Sequence, residues 1–149
     1  MRVLPPGTLG LRQSDMKNGD KKMKRQVVSP IGWPPPPYPF SWGIRSEDMI
    51  YTSGATGRDV KGRVPDDIRE QTRICLERLG AVLTAAGSAF EHVIKATVYL
   101  TDVKEFEAMN EVYSSFFPVS PPARTTVGVA ALALPGLRVE IELVARIPG

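Results

Sequence analysis

The chain has 149 residues, of which 42% are hydrophobic and 23% charged, and this fits a single globular domain. Its net charge of +3 is unevenly spread, because residues 1–26 carry seven basic and two acidic side chains whereas residues 27–149 carry 12 basic and 14 acidic ones. The lack of any 18-residue apolar run excludes a membrane-spanning helix, and one cysteine with one histidine excludes a disulfide framework or a zinc site made of several such ligands.

Residues 1–30 form a basic, proline-containing extension, which we expect to be disordered or foreign to the natural protein, so the domain is predicted at residues 31–149. An extension that binds nucleic acid and an organellar transit peptide are the alternatives. Residues 29–39 contain six prolines, which favour a stiff polyproline II approach to the first strand, or alternatively a ligand for an SH3 or WW domain. The lone cysteine is compatible with the cytoplasm, the location that we expect.

A hairpin and a long helix come next. Residues 42–53 are predicted to form two short strands around the turn at 45–48, followed by a glycine-containing loop. Residues 66–86 are predicted to form a helix that starts near Pro65 and ends before Gly87. Its apolar face is made of Ile68, Cys75, Leu76, Leu79, Val82 and Leu83. Cys75 lies within this face and is therefore interpreted as a core residue.

The second half of the chain alternates strands with a helix. Residues 93–100 alternate as a strand does, and residues 103–117 follow as a helix that Asp102 could cap. Residues 124–132 and 138–147 are the last two predicted strands. The order β-β-α-β-α-β-β predicts an α+β fold in which a mixed sheet carries both helices on one face.

One row of each strand is aliphatic and suits the helix-covered face of the sheet. In strand 124–132 we assign Val127 to that row. The other rows are mixed, and they contain Thr97, Tyr99, Arg124, Thr126, Glu140 and Glu142. A face of this composition is either solvated or an oligomer interface with polar pockets, and we favour the interface.

Arg124 and Glu140 are the candidate catalytic residues. A guanidinium group matches a carboxylate through two parallel hydrogen bonds, and a glutamate can move protons. If the last two strands pair, these side chains share one face and touch within one chain or across a subunit boundary. A plain cross-strand salt bridge is the alternative. No Gly-x-Ser-x-Gly elbow or phosphate-binding loop occurs, and neither a metal nor another cofactor is predicted.

An ordered set of motifs over about residues 40–147 resembles the RidA/YjgF family of reactive-intermediate deaminases, also known as endoribonuclease L-PSP-like proteins. The motifs are Tyr51-Thr-Ser-Gly54, Gln71, Ala86-Gly87, residues 93–98 with Asp102, Phe106, Asn110-x-x-Tyr113, Phe116-Phe117, Pro122-Ala-Arg124, and Val139-Glu-Ile-Glu142 with Ala145. The resemblance implies a chorismate-mutase-like fold in a homotrimer with active sites in clefts between subunits. It also implies hydrolysis of imines and enamines, such as 2-iminopropionate, to a 2-keto acid and ammonia.

The resemblance further implies roles for single residues. Arg124 is expected to clamp the substrate carboxylate, and Glu140 to position or activate the attacking water. Ser53 and Gly54 correspond to a loop that holds substrate, and Asn110 to a pocket residue.

Two residues depart from the family pattern. Phe40 stands where members often have tyrosine, and Thr126 where they often have cysteine. We expect both to contact the substrate, and both bear on which imine is used.

Three alternatives remain open on the sequence. The same site could serve a pathway-specific enamine deaminase, acting on an aminomuconate- or aminoacrylate-like compound. The chain could instead act on RNA, although residues 27–149 carry a net negative charge. A ligand-binding trimer without turnover is the third. No membrane partner is predicted.

Overall fold

Seven strands and two α-helices make up residues 24–149, the part of the chain that the computed structural model describes. The strands are β1 (Arg25–Val28), β2 (Gly43–Ser46), β3 (Met49–Thr52), β4 (Ala55–Thr56), β5 (Val93–Leu100), β6 (Ala123–Gly128) and β7 (Val139–Arg146). The helices are α1 (Ile68–Ala85) and α2 (Phe106–Phe116), and short 3-10 turns lie at Phe90–His92 and Val103–Glu105. The predicted α+β architecture is confirmed.

The strands form a single mixed sheet in the order β1-β2-β3-β7-β5-β6, with β4 pairing with β7 beside this path. β2 and β3 form the predicted hairpin, and Glu47 in its turn has a positive φ of 54°. β5 and β6 are parallel, whereas the other neighbours are antiparallel. A parallel pair needs a crossover connection, and α2 supplies it.

Both helices pack on one face of the sheet, as the alternation of the strands predicted. Every second residue of β7 from Val139 to Ala145 is buried and joins the apolar faces of α1 and α2 in one core. Asp67 caps α1 by accepting a hydrogen bond from the backbone N–H of Arg69 at 2.8 Å. Cys75 is fully buried in this core as predicted, and burial raises the pKa of its thiol well above the ordinary value.

Several boundaries differ from the sequence prediction. Strand β1 lies inside residues 1–30, the segment set apart as an extension, and pairs with β2 through all four of its residues. The short β4 was not predicted, and the strand predicted at 124–132 ends at Gly128. Asp102 caps a 3-10 turn rather than α2 itself, because its carboxylate accepts from the N–H of Lys104. Strands β1 and β4 have too few residues to show a hydrophobic period.

The last two strands do not pair with each other, and this corrects the sequence analysis. β5 lies between β6 and β7 and pairs with both of them. The turn between the last two strands therefore connects strands that are not neighbours. The alternative prediction, a cross-strand salt bridge between Arg124 and Glu140 within a single chain, is therefore wrong.

The face assigned to β6 was also wrong. Arg124 pairs with Ala96 and Thr126 with Val98, and both partners are buried under the helices. Arg124 and Thr126 therefore lie on the helix-covered face, whereas Val127 lies on the opposite face and is 39% exposed. The reason is physical: β6 is an edge strand, so the core does not impose an apolar row on it as it does on β7.

Gln71 on α1 fixes the loops that border the start of β7. Its fully buried amide nitrogen donates to the carbonyl oxygens of Pro65 at 2.8 Å and Gly136 at 3.0 Å, and its Oε1 accepts from the N–H of Arg138 at 2.9 Å. A β-carbon on Gly57 would lie 2.7 Å from Gln71 Cγ, so only glycine permits this approach. The amide thereby holds two loops against one turn of helix.

We expect Gln71→Leu to lower the free energy of unfolding by about 3 kcal/mol, because it leaves three partly buried backbone groups without their hydrogen-bond partners. Urea unfolding of the variant beside the wild type measures this. Glu77→Gln, on the exposed side of the same helix, should change the value by less than about 0.5 kcal/mol. Equal unfolding midpoints for Gln71→Leu and wild type would contradict the role given to this amide.

Candidate active site

A β-bulge between β3 and β4 forms the floor of a cleft. Tyr51 pairs with Val144 and Ala55 pairs with Ile141, so three residues on one side oppose two on the other. The hydroxyl of Thr52 bridges the irregularity by accepting from the N–H of Leu143 at 2.9 Å. Bulges bend a strand and redirect its side chains, and they are frequent next to active sites.

The bulge places a glycine beneath the Glu140 carboxylate. A β-carbon built on Gly54 would lie 2.8 Å from Glu140 Cδ and would overlap Oε1. The neighbouring Ser53 is fixed as well, because its hydroxyl donates to the carbonyl of Ser41 at 2.5 Å and its N–H donates to the carbonyl of Trp42 at 3.0 Å. Since that hydroxyl proton is already used, the oxygen of Ser53 can offer a ligand only its lone pairs.

Glu140 is held in a way that suits proton transfer. Its side chain is half-buried and accepts no hydrogen bond from residues 24–149. Desolvation raises the pKa of the Glu140 carboxyl, and the negative charge of Glu142 raises it further. Glu142 in contrast accepts a hydrogen bond from the hydroxyl of Tyr99 at 2.7 Å. Of the two carboxylates, Glu140 is therefore the one that is available to a ligand or a water molecule.

The cleft around Glu140 has a volume of about 1090 Å³ and brings together four of the seven residues predicted for the site. Phe40, Ser53, Gly54 and Glu140 all line it. The Phe40 ring packs edge-to-face on Trp42 with centroids 5.5 Å apart. Aromatic rings that follow the proline-rich segment thus line the cleft together with the bulge.

Arg124, Asn110 and Thr126 form a second cluster, on the helix-covered side of β6. Nη1 of Arg124 donates to Oδ1 of Asn110 on α2 at 2.8 Å. The guanidinium carbon lies 4.6 Å from the ring centroid of Tyr113 and 5.6 Å from that of Phe106, which are cation–π distances. The hydroxyls of Tyr113 and Thr126 are buried without a partner in the described part of the chain. The cluster presents a charged fork beside two buried hydroxyl groups.

One copy of the chain does not bring the two clusters together. Glu140 belongs to the β7 row opposite the core, whereas Arg124 belongs to the row of β6 under the helices, and β5 separates the two strands. The predicted residues therefore divide into a cleft with Glu140 and a pocket with Arg124. Within one copy, the arginine pocket and the glutamate cleft are therefore separate.

Sequence reasoning missed Arg78, the cation that lines the Glu140 cleft from α1. Its guanidinium carbon lies 5.3 Å from the Trp33 ring and 5.4 Å from the Trp42 ring, and its Nη1 donates to the carbonyl of Arg58 at 2.9 Å. The available signal was its position, next to the buried Leu79 on the apolar face of the helix. A charged residue beside a buried position is easily taken for the solvated border of a helix.

Comparison with known proteins supplies the family. A sequence profile described as Endoribonuclease L-PSP matches residues 33–147. A mouse protein named 2-iminobutanoate/2-iminopropanoate deaminase is 40% identical over 123 residues, which cover 81% of this chain and 90% of the mouse protein. A Schizosaccharomyces pombe protein named mmf2, mitochondrial, is 41% identical over 109 residues, 72% of this chain and 86% of its own. The crystal structure of the YjgF gene product from E. coli is similar with a TM-score of 0.77 at 31% identity, over 83% of this chain and 99% of that one.

No helix within residues 24–149 is both long and apolar enough to cross a membrane. Within the same range, no three His, Cys, Asp or Glu side chains are grouped as metal ligands.

We expect Gly54→Ala to lower the free energy of unfolding by about 1–3 kcal/mol, because the added methyl group overlaps the Glu140 side chain. The cost should fall below about 0.5 kcal/mol in a Glu140→Ala background, where the overlapping atoms are gone. A double-mutant cycle on unfolding free energies measures the coupling. Additive effects of the two substitutions would contradict the claim that a side chain at position 54 clashes with Glu140.

Proposed function

This chain belongs to the RidA/YjgF family, described as Endoribonuclease L-PSP, and on that premise we propose that it hydrolyses 2-imino and enamino acids to 2-keto acids and ammonia. The single observation that carries the proposal is the unpartnered, half-buried Glu140 carboxylate over Gly54, with its raised pKa. A mouse relative at 40% identity bears the name of such a deaminase. We place each active site between two copies of the chain, in a homotrimer.

Two features support a site shared between copies. The face of the sheet opposite the helices exposes Val27, Tyr51 and Val127 by 51%, 48% and 39%. Apolar side chains on a face that also carries glutamates and threonines are typical of an interface with polar pockets. The other feature is the separation of Arg124 from Glu140 by the sheet itself. Contact between neighbouring copies is the arrangement that joins the two clusters.

Arg124 would hold the substrate carboxylate. Its guanidinium is already oriented by Asn110 and by the Tyr113 ring, so little conformational freedom is lost when a carboxylate binds. The unused hydroxyls of Tyr113 and Thr126 are the further polar groups on this side. Asn110 acts as a positioning residue, because it reaches the substrate only through Arg124.

Glu140 would handle the protons. A water molecule attacks the carbon of the protonated imine while the Glu140 carboxylate takes one of its protons, which gives a neutral carbinolamine. Glu140 then returns the proton to the nitrogen, and the carbon–nitrogen bond breaks. As the carbonyl forms, Glu140 takes the hydroxyl proton and passes it to the departing ammonia, which leaves as ammonium. One water is consumed for each imine, and the raised pKa of Glu140 makes its carboxylate a better proton acceptor.

A pathway-specific enamine deaminase is the second candidate, since Phe40 gives the cleft an apolar ring without a hydroxyl. Action on RNA has less support, because residues 27–149 carry more acidic than basic side chains. The cytoplasmic location stays a prediction, and the yeast relative is named a mitochondrial protein.

We expect Arg124→Ala to lower kcat/KM for 2-iminopropionate about 100-fold or more, because the charge-assisted bonds to the carboxylate are lost. Arg124→Lys keeps the positive charge but lacks the planar guanidinium group, so its kcat/KM should lie between those of Arg124→Ala and the wild type. Keto-acid release above the spontaneous rate is the measurement, with thermal unfolding as a check on the fold. Wild-type turnover by Arg124→Ala would refute the clamp.

Mixing two inactive variants tests whether the site is shared. Arg124→Ala and Glu140→Gln should each be inactive alone, but co-assembly at equal amounts should give about a quarter of the interfaces an intact Arg124 facing an intact Glu140. We therefore expect about a quarter of the wild-type rate from the mixture. A mixture as inactive as its parents, with subunit exchange verified by mass, would place both residues in one chain's site.

A further inference from the structure

The Glu140 cleft contains a second arginine, and neither its charge nor its position is needed for hydrolysis of a small imine. We propose that Arg78 binds an acidic group at the far end of the substrate, so that the site favours imino acids with a second carboxylate, such as 2-iminoglutarate. This inference rests on the proposed function, because it names the substrate class of the same site. Arg78 is thus a specificity-determining residue.

Arg78 differs from the other arginines of its helix. Arg69 forms an ion pair with Glu111 at 2.7 Å, and Arg73 forms pairs with Glu70 and Glu77, both at 2.7 Å. Among residues 24–149, Arg78 forms no ion pair with a carboxylate, and its recorded hydrogen bond goes to a neutral carbonyl. A half-buried guanidinium without a counter-ion is costly, and this desolvation lowers the pKa of Arg78. A bound anion would remove that cost.

The two indole rings hold this guanidinium without neutralising it. Trp33 and Trp42 lie edge-to-face, with centroids 5.3 Å apart, and both are within cation–π distance of Arg78. Such rings restrict the orientation of the group while its remaining N–H donors stay available. A restricted fork of this kind matches a carboxylate.

The remaining charges of the cleft favour a dianion. Arg58 and Lys61 also line it. The carboxylate of Asp59 forms an ion pair with Arg63, with Oδ2 of Asp59 3.0 Å from Nε of Arg63. Glu140 is then the one lining carboxylate without such a partner among the described residues. An excess of positive charge raises the local concentration of anionic substrates.

Arg78 and Glu140 line the same cleft, Arg78 from α1 and Glu140 from β7. A substrate whose imine carbon is at Glu140 and whose side chain extends within this cleft towards α1 would bring a second carboxylate to Arg78.

The competing explanation is that Arg78 only fastens the proline-rich segment to α1 through the two tryptophans. The two explanations differ in what they predict for different substrates. Loss of a fastener would impair every substrate alike, whereas loss of a carboxylate receptor would impair the dicarboxylate selectively. The comparison must therefore be a ratio between two imines.

We would compare wild type, Arg78→Met and Arg73→Met, with 2-iminoglutarate and 2-iminopropionate generated in situ by amino-acid oxidases. The wild type should prefer 2-iminoglutarate in kcat/KM, and Arg78→Met should reduce that preference about ten- to a hundredfold. Arg73→Met removes the same charge from the same helix outside the cleft and should leave the preference intact. Arg78→Lys should restore part of it.

Calorimetric binding of the products keeps this inference separable from the proposed function. We expect 2-oxoglutarate to bind more tightly than pyruvate, and Arg78→Met to abolish the difference. If the wild type hydrolyses neither imine but shows this Arg78-dependent binding, the deaminase function is wrong and the acidic-group site stands. Equal losses for both imines in Arg78→Met, or no wild-type preference for the dicarboxylate in either assay, would overturn the inference.

Discussion

Strand β5 lies between β6 and β7, and this topology keeps the two groups of candidate site residues apart within one copy. It separates Arg124 from Glu140 by one strand and by the thickness of the sheet. Side chains of a strand alternate between two faces, so no rotamer change can bring the two groups together within a copy. A site that uses both residues would therefore have to be built by association of two copies, and under the proposed function association is a condition of activity.

The energetics of the Glu140 and Arg124 charges also favour association of two copies. The Glu140 carboxylate is half-buried without a hydrogen bond from the described residues, and the Arg124 guanidinium is supported by an amide and by aromatic rings rather than by an acid. Each is an unneutralised charge in a partly desolvated place. If a neighbouring Arg124 approaches Glu140, it opposes the desolvation that raises the pKa of that carboxyl. The proton affinity of Glu140 would then depend on assembly and on whether a substrate carboxylate already occupies the arginine.

Long periodic elements were predictable from the sequence, and edge elements were not. Helix α1 and strands β5 and β7 have one face in the core, so their periods are imposed by burial and can be recognised without coordinates. β1 and β4 have four and two residues, which is too short for a period. β6 lies at the edge of the sheet, where Val127 is exposed and Arg124 faces a helix, so its alternation is real but does not identify its faces.

The candidate site shows the same division, between residues that a sequence pattern identifies and residues that only tertiary packing brings into place. Motif resemblance singled out Ser53, Gly54 and Glu140, and the close approach of the Gly54 backbone to the Glu140 carboxylate restricts the residue choice at Gly54. It did not single out Arg78, because the role of that side chain depends on Trp33 and Trp42, which come from an irregular segment. Contacts between a helix and a segment without period follow from tertiary packing alone. It follows that candidate site residues within motifs can be named from the sequence, whereas Arg78 is recognised as part of the cleft only once the fold has brought α1 and the tryptophans together.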